Sequence, residues 1–194
     1  MRQGKVVKVL LSVSICAFAA QVTAETSTEQ RVAQSRASAK SLMQALKTEL
    51  QAAMKAGGPV NAVGVCHTQA VGITEAQAQD GGLGIRRTSL KVRNPANAPD
   101  AWEASVLERF EKRKAAGEDV TALEYHEVTE AGGKRTFRWM KAIPTAEVCL
   151  ACHGGDNVAP AVEAKLADLY PQDQARGFQV GDIRGAFSVT QPMD

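Results

Sequence analysis

Cys149-Leu150-Ala151-Cys152-His153 is the stretch whose residue types and spacing carry the most chemistry. Cys-x-x-Cys-His is the attachment pattern of c-type haem: the two thiols form thioethers to the porphyrin and the adjacent imidazole ligates the iron. Two intervening residues place both sulfurs on one side of a helical turn, and the next residue then points at the metal. Zinc and a redox disulfide are the rivals. Structural zinc needs four ligands, usually with a second closely spaced pair, and only Cys66, His67 and His126 remain to help. A thioredoxin-like Cys-x-x-Cys opens a helix after a strand, which residues 144–149 would permit. The histidine directly after the second cysteine favours one covalently attached haem c per chain, held by Cys149, Cys152 and His153.

The other face of the iron has several candidate ligands: Cys66, His67, His126, Met140 or an open position. Four cysteines are present, and Cys16 falls in an N-terminal segment that looks like an export signal, leaving three. If two of these hold haem, Cys66 has no partner for an internal disulfide. A thiolate is a strong ligand that a metal keeps deprotonated. The bland reading of Cys66 is a small buried hydrophobe. His126 falls on an alternating strand, where a histidine faces solvent, and Met140 reads as core filler. Arg86, Arg87, Lys91 and Arg93 form a basic cluster that is either a solvated strand edge or, through Arg87, a partner for the haem propionates, whose carboxylates suit a bidentate guanidinium.

The N-terminus fits haem attachment outside the cytoplasm. Arg2, Lys5 and Lys8 precede an apolar run of about a dozen residues, and Val22-Thr23-Ala24 offers a small-residue cleavage site. The run is short of the roughly 20 residues that span a bilayer. Residues 1–24 therefore read as a signal peptide cleaved after Ala24, residues 25–194 as a single haem-binding domain, and the location as periplasmic. A lipoprotein signal at Cys16 is disfavoured because Ile15 stands where a small residue is needed. The signal carries three basic residues and no acid, so its removal takes the net charge from +2 to −1. That balance indicates no nucleic-acid partner and no stable membrane insertion after cleavage.

The elements that must position these residues follow from periodicity. Residues 25–31 read as polar and frayed. Residues 32–55 repeat apolar side chains at helical steps, and Gly57-Gly58-Pro59 stops them. A second helix is expected over 60–79, with Gly64 and Gly72 lowering the bulk beside Cys66. A strand follows at 84–90, and a third helix starts at Pro99 or Asp100, with Trp102, Val106, Leu107 and Phe110 inward. Strands at 122–129 and 134–143 flank the hairpin signal Gly132-Gly133. Pro144 should break the strand and Thr145 should cap the short helix carrying the cysteines. A helix at 160–169 and a strand at 183–190 complete an α+β chain: N-terminal helices, then an antiparallel sheet with flanking helices. Trp102, Phe110, Phe137 and Trp139 read as core, with one or two free to pack on the haem.

Several of these pieces together resemble one family. They are Cys66 with Ala70, the run from Arg87-Thr88-Ser89 through Asn94-Pro95-Ala96-Asn97-Ala98-Pro99-Asp100 to Trp102-Glu103, Pro144, Cys149 to Gly154, and Gly185-Ala186-Phe187-Ser188-Val189. The chain is similar to the Tll-type haem-binding domain over roughly residues 32–190. The resemblance implies a PAS-like core with a long N-terminal helix, a single c-type haem, and axial ligation by His153 on one face and Cys66 on the other. It also implies a redox or small-ligand sensing role, with nitric oxide or carbon monoxide as candidate ligands. A periplasmic electron-transfer cytochrome, docking to a periplasmic redox protein, is the alternative. An enzyme is not expected, because ligation on both faces would block the iron and only His67 and His126 remain for acid–base work.

Overall fold

The computed structural model describes residues 26–193. The expected signal peptide, its cleavage site and Cys16 lie outside them. The chain opens with a 54-residue helical run, α1 (Thr28–Gly81). It starts earlier than periodicity indicates because Ser27 and Gln30 form a capping box: the Ser27 side chain accepts from Gln30 N–H, and the Gln30 side chain accepts from Ser27 N–H. The polar segment expected to fray is thus a capped helix start.

The Gly57-Gly58-Pro59 stop is real. Gly57 and Gly58 leave helical geometry, and Gly58 sits at φ 67°, ψ −164°, a conformation a side chain would strain. The run doubles back there. Asn61 Nδ2 donates to Ala53 O at 2.9 Å, and a Cβ on Gly81 would stand 3.8 Å from Ser38 Oγ. Residues 28–56 are therefore an outbound limb and residues 59–81 a return limb, capped by left-handed Gly82.

The sheet has four antiparallel strands, β1 (Gly84–Thr88), β2 (Glu124–Ala131), β3 (Lys134–Pro144) and β4 (Ile183–Met193), in the order β1-β4-β3-β2. One face carries Ile85, Phe137, Trp139, Phe187 and Val189 against Val32, Ala39 and Leu42 of α1. The other carries Met140, Ala142 and Ala186 against Val106, Leu107 and Phe110 of α2 (Ala101–Ala115). Strand alternation sends Arg86 to the α2 face, where it pairs with buried Glu103 at 3.0 Å. Arg87 takes the opposite face. Phe110, Phe137 and Trp139 are fully buried core, as expected, while Trp102 packs at the edge of the α2 cluster.

Pro144 stops β3 as expected, itself paired with Ile183 across a bulge. One expectation at this end is corrected. Thr145 does not cap the short helix. Its backbone is tied to the lead-in of β4, with Thr145 N–H donating to Asp182 O (2.7 Å) and Gly181 N–H donating to Thr145 O (2.9 Å). Its Oγ1 is buried without a partner, and the following turn starts from Ala146 with no side-chain cap. β4 also runs to Met193, three residues beyond the expected end.

Candidate functional site

From that tie the chain makes a tight turn at Glu147–Cys149 and a single helical turn, α3 (Leu150–His153). The brevity of these turns places Cys149, Cys152 and His153 together, all half-buried. The thiols are free. Cys152 packs on a small apolar cluster of Val63 from α1, Val158, and Val162 and Leu166 of α4 (Pro160–Leu169).

The loop returning to β4 grips His153. Phe178 N–H donates to His153 O at 3.0 Å, and the imidazole Nδ1 stands 2.9 Å from Ala175 O. A carbonyl only accepts, so Nδ1 carries the proton and Nε2 keeps its lone pair, the form a metal requires. Burial lowers the His153 pKa well below the ordinary value, and the Arg184 and Arg93 charges lower it further, against the opposing bond to Ala175. The ring is neutral at physiological pH.

Asp173 organises that loop. It accepts from Ala175 N–H (2.9 Å), from Arg176 Nε (2.7 Å) and from Arg93 Nε (3.1 Å). Arg93 also donates to Cys152 O (2.5 Å) and Ala175 O (3.3 Å), stapling the cysteine turn to the histidine loop. Burial works to raise the Asp173 pKa, but the bonds from Arg93 and Ala175 outweigh it and hold the carboxyl below its usual value.

The facing wall is the return limb of α1. Cys66 stands there, exposed to solvent. Partial burial pushes its thiol up, while Arg87 and then Arg93 pull the other way. Burial raises Cys152 too, and the charge of Cys66 adds to that, so the two thiols, on different elements, lie within electrostatic reach of each other across the recess between α3 and the return limb. Arg87 lines the same recess: burial lowers its pKa, opposed by Cys66 and Tyr170. Its Nε is buried with no hydrogen-bond partner.

A family model for the Tll0287-like family, Tll0287, matches residues 17–192. The chain belongs to the Tll0287-like family. The crystal structure of the cyanobacterial heme-protein Tll0287 is similar to this Tll0287-like chain, at 26% identity and a TM-score of 0.59, over 84% of this chain and 93% of that one. No curated protein matches it.

The Tll0287-like chain thus brings two sequence-predicted residues, Cys66 and Arg87, into electrostatic reach of each other, and Cys66 into reach of the turn that carries Cys149, Cys152 and His153. The other candidates for the second iron face make contacts of their own. His67 is edge-on to Tyr170, ring centroids 5.0 Å apart. His126 is exposed on β2 and lies over Phe137. Met140 is fully buried in the α2 core. Among the described residues, no three His, Cys, Asp or Glu side chains converge as a zinc site requires. The basic cluster divides by role: Arg86 holds Glu103, Arg93 holds Asp173, and Lys91 lies over the Phe178 ring at 5.2 Å. A separate cavity of about 370 Å³ lies on the α2 side, lined in part by Lys91, Lys114 and Phe178. It is screened from His153 by Phe178, whose ring meets the imidazole edge-on at 6.2 Å.

Sequence reasoning missed Phe178, Tyr170, Asp173 and Arg184. Arg184 Nε lies 3.4 Å from His153 Nε2. Alternation along β4 would not have placed it there. Gly185 pairs with Ile143 and Ile183 with Pro144, so Arg184 is the extra residue of a bulge that re-aims its side chain. Burial and the charge of Arg93 bring its pKa down to about 10, with Asp173 opposing. The only signal in the sequence was a charged residue between Ile183 and Gly185, inside an otherwise uncharged strand.

Proposed function

We propose that this Tll0287-like protein is an exported, periplasmic haem protein that senses redox state or a small ligand such as nitric oxide or carbon monoxide. On this reading the signal is removed after Ala24, one haem c is attached through Cys149 and Cys152, and His153 and Cys66 hold the iron from opposite faces. Arg87, with its unpartnered Nε, receives a propionate. The kinship to a solved heme-protein supports haem binding. The residues also fit the group: a neutral imidazole whose Nε2 carries a lone pair, free thiols at the attachment spacing, and a half-buried arginine whose Nε lacks a partner.

The observation that carries the reading is that Cys66, on the return limb, lies within electrostatic reach of Cys152, the residue before His153 on α3. Haem bound there would supply a one-electron centre whose ferric state a thiolate stabilises. His153 is held by the Ala175 and Phe178 backbone, and that loop is tied to the sheet. Cys66 rides on the return limb, beyond the Gly57–Gly58 break. Release of Cys66 would free that limb while leaving His153 in place, which turns a change at the site into a movement of a helix.

Ultraviolet–visible and electron paramagnetic resonance spectra of the exported protein test this, repeated on Cys66→Ala. The expected result is a covalent, low-spin ferric haem whose spin state and reduction potential change in the variant. Identical spectra and potential would refute ligation by Cys66. A colourless product of unmodified mass, from cells competent in cytochrome maturation, would refute haem attachment itself.

A further inference from the structure

Three arginines stand around the recess, and they are not equivalent. Arg93 has a carboxylate, Asp173 at 3.0 Å, with both side chains largely buried. Arg87 and Arg184 take part in no ion pair among the described residues. Arg87 Nε is buried without any partner. Arg184 donates to Ser89 Oγ at 3.2 Å, to Lys91 O at 3.4 Å and to His153 Nε2 at 3.4 Å. All three contacts lie beyond the usual 2.9–3.0 Å of an N–H donor. Arg184 also lies over the Phe178 ring at 5.3 Å. A half-buried guanidinium placed by a bulge, with only long hydrogen bonds and no carboxylate, has donors left for an anion that is not part of the chain. The two arginines sit on neighbouring strands, β1 and β4, close enough to feel each other's charge, and that repulsion is unrelieved by any paired acid. One dianion would satisfy both.

We propose that Arg87 and Arg184 form a paired cradle for the two propionate carboxylates of the porphyrin, and that Arg184 turns away from His153 Nε2 to take up its carboxylate. The proposal rests on the haem reading and adds a second anchor to it. It also gives the unloaded chain a defined state. The Arg184 Nε–H faces the one imidazole nitrogen that a metal would use, so the imidazole is covered until a carboxylate draws the guanidinium off.

The test titrates the full chain, made without haem, with haemin and with haemin dimethyl ester, followed by absorbance. The parent should prefer the free dicarboxylate by roughly 100-fold or more, the size expected of two charge-assisted contacts. Arg184→Gln should lower that preference roughly tenfold or more with little effect on the diester, Arg184→Lys should keep part of it, and Arg87→Gln should behave like Arg184→Gln. A merely structural role would weaken both porphyrins alike, and that result overturns the cradle. So does a parent that binds both forms equally. Arg184→Gln also removes the contacts to Ser89, Lys91 and Phe178; where it lowers the melting temperature of the haem-free chain, Arg184→Lys carries the binding comparison. Succinate serves as a free dianion: protection against thermal unfolding by succinate equal to that by haemin would assign the cradle to a free dicarboxylate and overturn it. If the parent binds neither porphyrin, the haem reading fails and the cradle with it, a result distinct from every other.

Discussion

Asp173→Asn is the sharpest test of how the histidine loop is held. The Asp173 side chain is 4% exposed and that of its partner Arg93 12%. Breaking a buried pair by removing one charge costs about 3–5 kcal/mol, because the other charge is left stranded. The asparagine oxygen can still accept from Ala175 N–H, which recovers part, so the expected loss is about 3 kcal/mol. For a domain of this size that corresponds to a melting temperature lower by about 6–12 °C. The assay is thermal and urea unfolding followed by circular dichroism, on the parent, Asp173→Asn, Arg93→Met and the double variant. The double variant should be more stable than the sum of the singles implies, with a coupling of about 2 kcal/mol. The pH dependence follows from the depressed Asp173 pKa, where burial is outweighed by the Arg93 and Ala175 bonds. The unfolded chain takes up this proton first as pH falls. The stabilisation is therefore complete above about pH 4 and lost as pH drops through the lower folded value, and Asp173→Asn should lack that component. A loss under about 1 kcal/mol, or strictly additive singles, would refute the view that this pair organises the loop.

Two further outcomes concern the scaffold. A Cβ on Gly185 would stand 2.3 Å from Thr88 O, so Gly185→Ala must push β1 from β4 and should cost about 1–3 kcal/mol by urea unfolding; an unchanged midpoint would contradict that packing. Gly58→Ala should cost about 1–2 kcal/mol through its φ of 67°, with no neighbour to clash with, whereas Gly72→Ala, in open space on the return limb, should stabilise by about 0.5–1 kcal/mol; equal effects would show that the turn of α1 does not depend on Gly58.

The sequence made some parts of this structure legible because they obey short-range rules. Gly57-Gly58 before Pro59 and Gly132-Gly133 mark the ends of elements through the backbone freedom of glycine, and each does so here. The cysteine motif is legible because its chemistry demands a fixed spacing. Ser27 with Gln30 was equally readable as a capping box and was passed over because the apolar repeat begins later. The neighbours of His153 were not legible. Ala175 and Phe178 act through backbone atoms, which any residue supplies, so their identities carry no signal. Arg184 is aimed by a bulge, and period-2 reading assigns the wrong face to whatever follows an inserted residue. Thr145 failed as a cap for a related reason: the tie between Thr145 and residues 181–182 takes its backbone first.

The two walls of the recess differ in how firmly the fold holds them. The histidine side is braced by backbone bonds from Ala175 and Phe178, by the Thr145–Asp182 tie to the sheet, and by the Arg93–Asp173 pair. The cysteine side is a helix limb that turns at two glycines, with Cys66 open to solvent and Val63 and Ala62 buried just before it. Further along, Ile73 and Ala78 are only partly buried against the sheet. Regions with fewer buried contacts open at lower free energy than the core. A bond across the recess would therefore add most stability to the limb and least to the sheet, and its loss would be felt in the same proportion. Hydrogen exchange should report that asymmetry directly: amides of residues 62–78 should gain far more protection on haem loading than those of β3 and β4, and uniform protection would mean that the walls are equally firm.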